Sequence, residues 1–176
     1  MKVIAIMNQK GGIGKTMTAA AVAYIIGEEW KNRVLIADAD QQGNISQIYG
    51  QYDPEGIGMS ELLEHHRSSG GKFSTEGIIK PTAYGMIDII PSNGYLMRTN
   101  MNLLLKNDMN QITRFRNAIE EIYGAYDVCI ADCGLQMDMT VINVLVTADY
   151  VIIPAKIGGF EIDAIQNTIE QIEDLR

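Results

Sequence analysis

Five short apolar runs punctuate the chain, at residues 3–7, 33–37, 86–91, 128–132 and 150–153. Each is dominated by aliphatic residues instead of alternating apolar with polar, which is the pattern of strands buried on both faces. Helical spacings separate them, at residues 16–26, 95–105, 111–123 and 139–147. The last run, 160–175, places Ile162, Ile165, Ile169, Ile172 and Leu175 three and four apart, an amphipathic helix with a core-facing stripe. The pattern weakens between 45 and 82. Short helices are expected there at 45–49 and at 60–66, the second with Ser60 as N-cap, followed by a loop at Ser68-Ser69-Gly70-Gly71. Strands alternating with helices predict an α/β fold: a mostly parallel central sheet flanked by helices in three layers, as one domain over 1–176.

The first strand runs directly into Asn8-Gln9-Lys10-Gly11-Gly12-Ile13-Gly14-Lys15-Thr16 and then into a helix. Strand, glycine-rich turn and helix start make a phosphate-binding loop. Gly11, Gly12 and Gly14 let the backbone curl so that successive N–H groups face an anion. The helix that begins near Lys15 adds its positive dipole end. Lys15 supplies a point charge for the β- and γ-phosphates, and the Thr16 hydroxyl is a ligand for Mg²⁺. Ile13 and Met17 complete the nucleotide-binding stretch.

Two further strand ends carry acids. Asp38-Ala39-Asp40-Gln41-Gln42-Gly43-Asn44 follows the second strand at its carboxyl end, where ligands bind in open α/β sheets. Asp132 closes the fourth strand, the Walker B arrangement, in which an aspartate holds Mg²⁺ directly or through water.

Bulk properties restrict the alternatives. The 176 residues suffice for one ordinary domain, and 47% hydrophobic with 20% charged residues is globular. A net charge of −8 with no basic run argues against a strongly basic nucleic-acid surface. The longest apolar stretch, 19–26, is far below the ~20 residues needed to span a bilayer, and no signal-peptide pattern is present, so a cytoplasmic location is expected. Cys129 and Cys133 fit a reducing compartment and read as packing thiols. His65 and His66 point to different sides of a helix and read as solvated surface.

The loop departs from the usual pattern in two ways: Gln9 stands where a glycine is usual, and Lys10 precedes the double glycine. Lys-Gly-Gly-x-Gly-Lys-Thr resembles the deviant P-loop of the ParA/MinD family of ATPases, and the full Asn8–Thr16 stretch is most similar to its ParA (Soj-like) branch. The Asp38–Asn44 segment is similar to that family's Asp-x-Asp-Pro-Gln-Gly-Asn motif, with Gln41 in place of proline. Three departures stand out. Gly134-Leu135 replaces a Pro-Pro pair after Asp132, Met17 replaces a threonine that bonds the α-phosphate, and the C-terminal part of the family fold is absent from this stretch.

The resemblance implies a P-loop NTPase fold that binds ATP and Mg²⁺ and hydrolyses ATP slowly. It implies roles for Lys10, Lys15 and Asp40 in catalysis, Lys10 reaching the nucleotide of the other subunit and Asp40 orienting the attacking water. Thr16, Asp38 and Asp132 would hold Mg²⁺, Asp38 through water. It further implies an ATP-dependent homodimer in plasmid or chromosome partition, a centromere-binding ParB-like partner, contact with non-specific DNA and no membrane. Three other readings compete. A nucleotide-dependent scaffold with little hydrolysis fits Met17 and Gly134. A MinD-like membrane-cycling ATPase is disfavoured by Gln42-Gly43-Asn44, and an iron–sulfur reductase of the nitrogenase iron-protein type lacks a cysteine before Asp127.

Overall fold

The computed structural model describes residues 1–106, 110–156 and 161–175. Six strands form one sheet: β1 (Lys2–Ile6), β2 (Val34–Ala39), β3 (Lys80–Pro81), β4 (Ile87–Ile90), β5 (Val128–Cys133) and β6 (Tyr150–Ile152). Their order is β3-β4-β2-β5-β1-β6. Every pairing is parallel except that of β3 with β4, which is antiparallel. All five apolar runs are therefore strands. β2 is buried at every position, as a strand covered on both faces must be.

Helices cover both faces: α1 (Lys15–Tyr24), α2 (Asn44–Ile48), α3 (Met59–Glu64), α4 (Thr75–Ile78), α5 (Leu96–Leu105), α6 (Arg114–Ile119), α7 (Met139–Thr147) and α8 (Glu161–Asp174). The strand residues divide accordingly. Val3, Ala5, Leu35, Ala37, Cys129 and Ala131 pack on one side with Phe115, Val144 and Leu145 from the helices. Ile4, Ile6, Val34, Ile36 and Ile130 pack on the other with Ala19 and Ala23 of α1. That is the period-2 alternation of strand side chains feeding two separate cores.

Several local expectations are corrected. The 16–26 helix ends as α-helix at Tyr24 and widens into a π-turn over Ile25–Glu29. The 111–123 helix shortens to α6 followed by a 3₁₀ turn, Glu120–Ile122. Ser60 is not an N-cap: Gly58 holds that place, its N–H donating to Glu61 Oε2 at 2.9 Å, while the buried Ser60 hydroxyl donates to Asn93 Oδ1 at 2.6 Å. His66 is not on the surface. It is fully buried, with Nδ1 2.8 Å from Ser68 Oγ and Nε2 3.0 Å from Thr75 Oγ1. The α8 stripe is only partly in the core, because Ile172 is buried whereas Ile162 and Ile169 are exposed. Phe160, expected to open that helix, lies outside the described residues.

Candidate nucleotide-binding site

β1 is an inner strand between β5 and β6, one strand in from the β6 edge of the sheet. The chain leaves it through Met7 and Asn8, both buried. Asn8 fixes the start of the loop: its Nδ2 donates to the Pro154 carbonyl at 2.9 Å and its Oδ1 accepts from the Lys10 amide at 2.8 Å. Gly12 and Gly14 then take φ of +69° and +89°, the left-handed region in which a Cβ is strained. Gly14 is the N-cap of α1, and its carbonyl accepts from Thr18 at 2.8 Å. The orphan amides of the first helical turn thus face the cavity together with the loop.

The cavity has a volume of about 310 Å³ and is lined by the loop from Gly11 to Met17 together with Asp40, Gln42, Asn44 and Leu135. A second hollow of about 170 Å³ adjoins it, bounded by Asp40, Gln41, Gln42, Gly134, Leu135, Gln136 and Asp138. Asp40, Gln42 and Leu135 line both, so one cleft runs from the glycine loop to the segment after β5. Within it, Ile13 and Lys15 are buried, Thr16 is half-buried, and Met17 is 65% exposed. Burial depresses the Lys15 ammonium pKa, opposed by the negative charge of Asp132 and Asp40. Lys10 is exposed and lies outside the cavity lining.

The three aspartates differ. Asp40 is half-buried in the lining of both hollows, its Oδ1 accepting from the Gln42 amide at 3.0 Å. Asp38 is fully buried and saturated. Its Oδ2 accepts from the Ser46 amide (3.0 Å) and hydroxyl (2.5 Å), and its Oδ1 accepts from the Asp40 amide (3.1 Å). Desolvation nevertheless raises its carboxyl to about 6. Asp132 is also buried, but neither of its carboxylate oxygens has a hydrogen-bond partner. Burial pushes it up to about 7. The Thr16 hydroxyl pulls the value partway back from nearby, without forming a hydrogen bond to either oxygen.

These groups pass the test for a small hard cation. An orphaned carboxylate beside a threonine hydroxyl is an all-oxygen donor pair of the kind Mg²⁺ takes, the remaining positions going to water and substrate phosphates. Among the described residues no cluster of three or more His, Cys, Asp or Glu side chains is arranged to hold a metal alone. A metal shared with phosphate does not require one. The cysteines are inert: Cys129 and Cys133 are fully buried, free thiols with pKa values raised by desolvation.

Of the predicted residues, Gly11 to Met17 and Asp40 line the cleft, Asp132 is buried near Lys15 and Thr16, and Asp38 and Lys10 lie outside the lining. Reading by motif missed Leu135 and Asp138 as members of the site. Leu135 stands where the chain departs from the family pattern and Asp138 lies beyond it, so no motif marked them.

A glycine cradle on a helix N-terminus, after an inner strand of a parallel sheet and beside strand-end carboxylates, defines a P-loop NTPase fold. Residues 1–176 match the model of a protein family described as an AAA domain. The chain belongs to that family, within the ParA/MinD-like group of P-loop ATPases. It is 30% identical over 177 residues to the sporulation initiation inhibitor protein Soj of Bacillus subtilis, covering 97% of this chain and 64% of Soj. It is 28% identical over 173 residues to the chromosome partitioning protein ParA of Myxococcus xanthus, covering 98% of this chain and 58% of that protein. The crystal structure of cobyrinic acid a,c-diamide synthase from Mycobacterium smegmatis, with bound ATP analog and magnesium, superposes with a TM-score of 0.84 at 25% identity, over 99% of this chain and 69% of that one. The chain thus spans about two thirds or less of the curated relatives named here. Among the described residues no helix is long and apolar enough to cross a membrane.

Proposed function

We propose that this domain is a ParA-type nucleotide switch that binds ATP with Mg²⁺, pairs with a second copy in that state and is reset by slow hydrolysis. The observation that carries the reading is the orphaned Asp132 carboxylate buried beside Thr16 and Lys15 behind the glycine loop, a site built for a cation and a polyphosphate together. The loop amides and Lys15 bind the β- and γ-phosphates. Thr16 and Asp132 would hold the ion, and Asp38 supports it only at a distance, through the loop it braces. Mg²⁺, when bound, neutralises charge that builds on the phosphate oxygens during transfer.

Hydrolysis replaces the bond from the γ-phosphorus to the bridging oxygen with one to a water oxygen in line with it. Asp40, in the part of the cleft beyond the loop, accepts a hydrogen bond from that water and orients it. Lys10, exposed at the edge, reaches the phosphates bound by the other copy. A ParB-like partner and non-specific DNA follow from the kinship with partition proteins. A scaffold with little hydrolysis is the second reading; it is favoured by Met17, which lines the cleft but has no hydroxyl to offer the α-phosphate.

Titrating ATP–Mg²⁺ during light-scattering chromatography tests the proposal. A monomer that becomes a dimer with ATP, does so less readily as Lys10→Ala, and persists as a dimer in Asp40→Ala supports the switch. Dimerisation with ATP but no released phosphate supports the scaffold. Absence of ATP binding overturns both.

A further inference from the structure

α5 carries two apolar stripes. One is buried: Leu96, Thr99 and Leu103 face the core. The other is not, with Met97, Met101, Leu104 and Leu105 exposed by 63, 60, 67 and 78%. Positions 97, 101, 104 and 105 stand at i, i+4, i+7 and i+8, one continuous face of a helix. Beside this stripe a groove of about 210 Å³ opens between α5 and the start of α7, lined by Met101, Leu104, Met137, Met139 and Ile142, with Asn100 and Asp138 as its polar members. Both polar side chains are engaged within the fold. Asn100 Nδ2 donates to Asp138 Oδ2 at 2.9 Å, Asn100 Oδ1 accepts from the Thr140 amide and hydroxyl at 2.8 Å, and Asp138 Oδ1 caps α7 through Val141 at 3.0 Å. The groove is thus an apolar surface with its polar atoms satisfied.

The geometry points to this groove as the docking site for a single amphipathic helix of a partner protein, one with a leucine- or isoleucine-type stripe flanked by acidic side chains. Three observations select that occupant. The exposed side chains of Met97, Met101, Leu104 and Leu105 form one apolar patch, on the order of the few hundred Å² of a typical monomer's largest and often functional patch. That is well under the ~800 Å² per partner of a standard interface, so the stripe suits one helix better than a second copy. The apolar groove beside the stripe is the kind of surface into which an amphipathic helix lays its apolar face, and the methionines lining it adapt to the incoming side chains. Arg98, next to Met97, stacks on Tyr95 at 4.9 Å and makes no ion pair among the described residues. An acidic residue on the partner completes it.

The test uses the nucleotide-free protein, so its outcome is separate from that of ATP binding. The probe is a fluorescein-labelled synthetic peptide of roughly 18 residues, long enough for helix formation, with leucines three and four apart and glutamates on the flanks. A version with serine for every leucine is the control. By anisotropy the leucine peptide is expected to bind with a Kd on the order of 10–100 μM and the serine version not at all. Leu104→Asp and Met101→Asp, both at exposed positions, each weaken it at least tenfold with an unchanged melting temperature; Arg98→Glu weakens it several-fold. Failure of the leucine peptide to bind up to about 1 mM overturns the proposal, as does equal binding by Leu104→Asp. If Met101→Asp instead changes the oligomeric state of the free protein, the face is a self-interface and the partner helix is ruled out.

Discussion

Asp38 on β2 and Asp132 on β5 are register partners across adjacent parallel strands, both fully withdrawn from solvent. Burial is the largest cause of a raised carboxyl pKa in each, to about 6 and about 7. Their surroundings then diverge. Three donors from Ser46 and Asp40 converge on Asp38, and the Ser46 hydroxyl in turn accepts from the Ser92 amide at 2.9 Å. Asp38 is thereby a brace that ties β2, α2 and the end of β4 together. Asp132 has no such donors. A buried carboxylate without partners costs stability. The two aspartates are thus separated by their partners: Asp38 ties neighbouring elements together, whereas both oxygens of Asp132 are without a hydrogen-bond partner.

Substitutions sharpen the contrast. Asp132→Ala should have the largest effect on turnover, lowering single-turnover phosphate release by about 10²–10³-fold with Mg²⁺ while leaving the urea midpoint of the apo protein unchanged or higher. Asp38→Ala should do the reverse, costing about 2–3 kcal/mol in urea unfolding through the abandoned Ser46 and Asp40 donors, with turnover falling only as far as the loop loosens. Equal stability losses in the two variants would erase the distinction.

pH separates them again. A carboxyl whose folded pKa lies above its unfolded value of 3.8 binds more protons in the folded state. Its stabilising contribution is complete below that value and is lost as pH rises through the folded one. In Mg²⁺-free, nucleotide-free protein, stability should fall from about pH 4 to about pH 7. Asp132→Asn should flatten that slope up to about 7, and Asp38→Asn only up to about 6. An unchanged slope in Asp132→Asn would contradict the assignment. The smallest effect belongs to the edge of the cleft: Met17→Thr should tighten nucleotide binding by up to about tenfold in calorimetric titration, one hydrogen bond to a charged group, with no change in stability.

The strands and the phosphate loop were legible because their signals are local. Aliphatic runs at 34–37 and 128–131 admit few conformations, and Gly12 and Gly14 mark positions where a Cβ is strained. β3 was not legible. It is two residues long, includes Pro81 and exists only because β4 lies beside it. His66 was misread for the same reason, since its burial depends on Thr75 and on Glu121, 55 positions away in the chain. At the site, Asp38 and Asp132 could be read as strand-end acids but not their hydrogen-bonding states, because Ser46 comes to Asp38, and Ser92 to Ser46, only through folding.

The position of β1 also sets a timetable. Its strand neighbours begin at Val128 and Tyr150, although it is the first of the six strands in chain order. At about 5–20 residues per second, a nascent chain carries this aliphatic strand and its glycine loop unpaired for on the order of ten seconds. β2, β3 and β4 all lie before residue 91 and are neighbours of one another in the sheet. A chain that stops before β5 therefore carries the whole phosphate-loop sequence while β1 lacks its Val128–Cys133 neighbour.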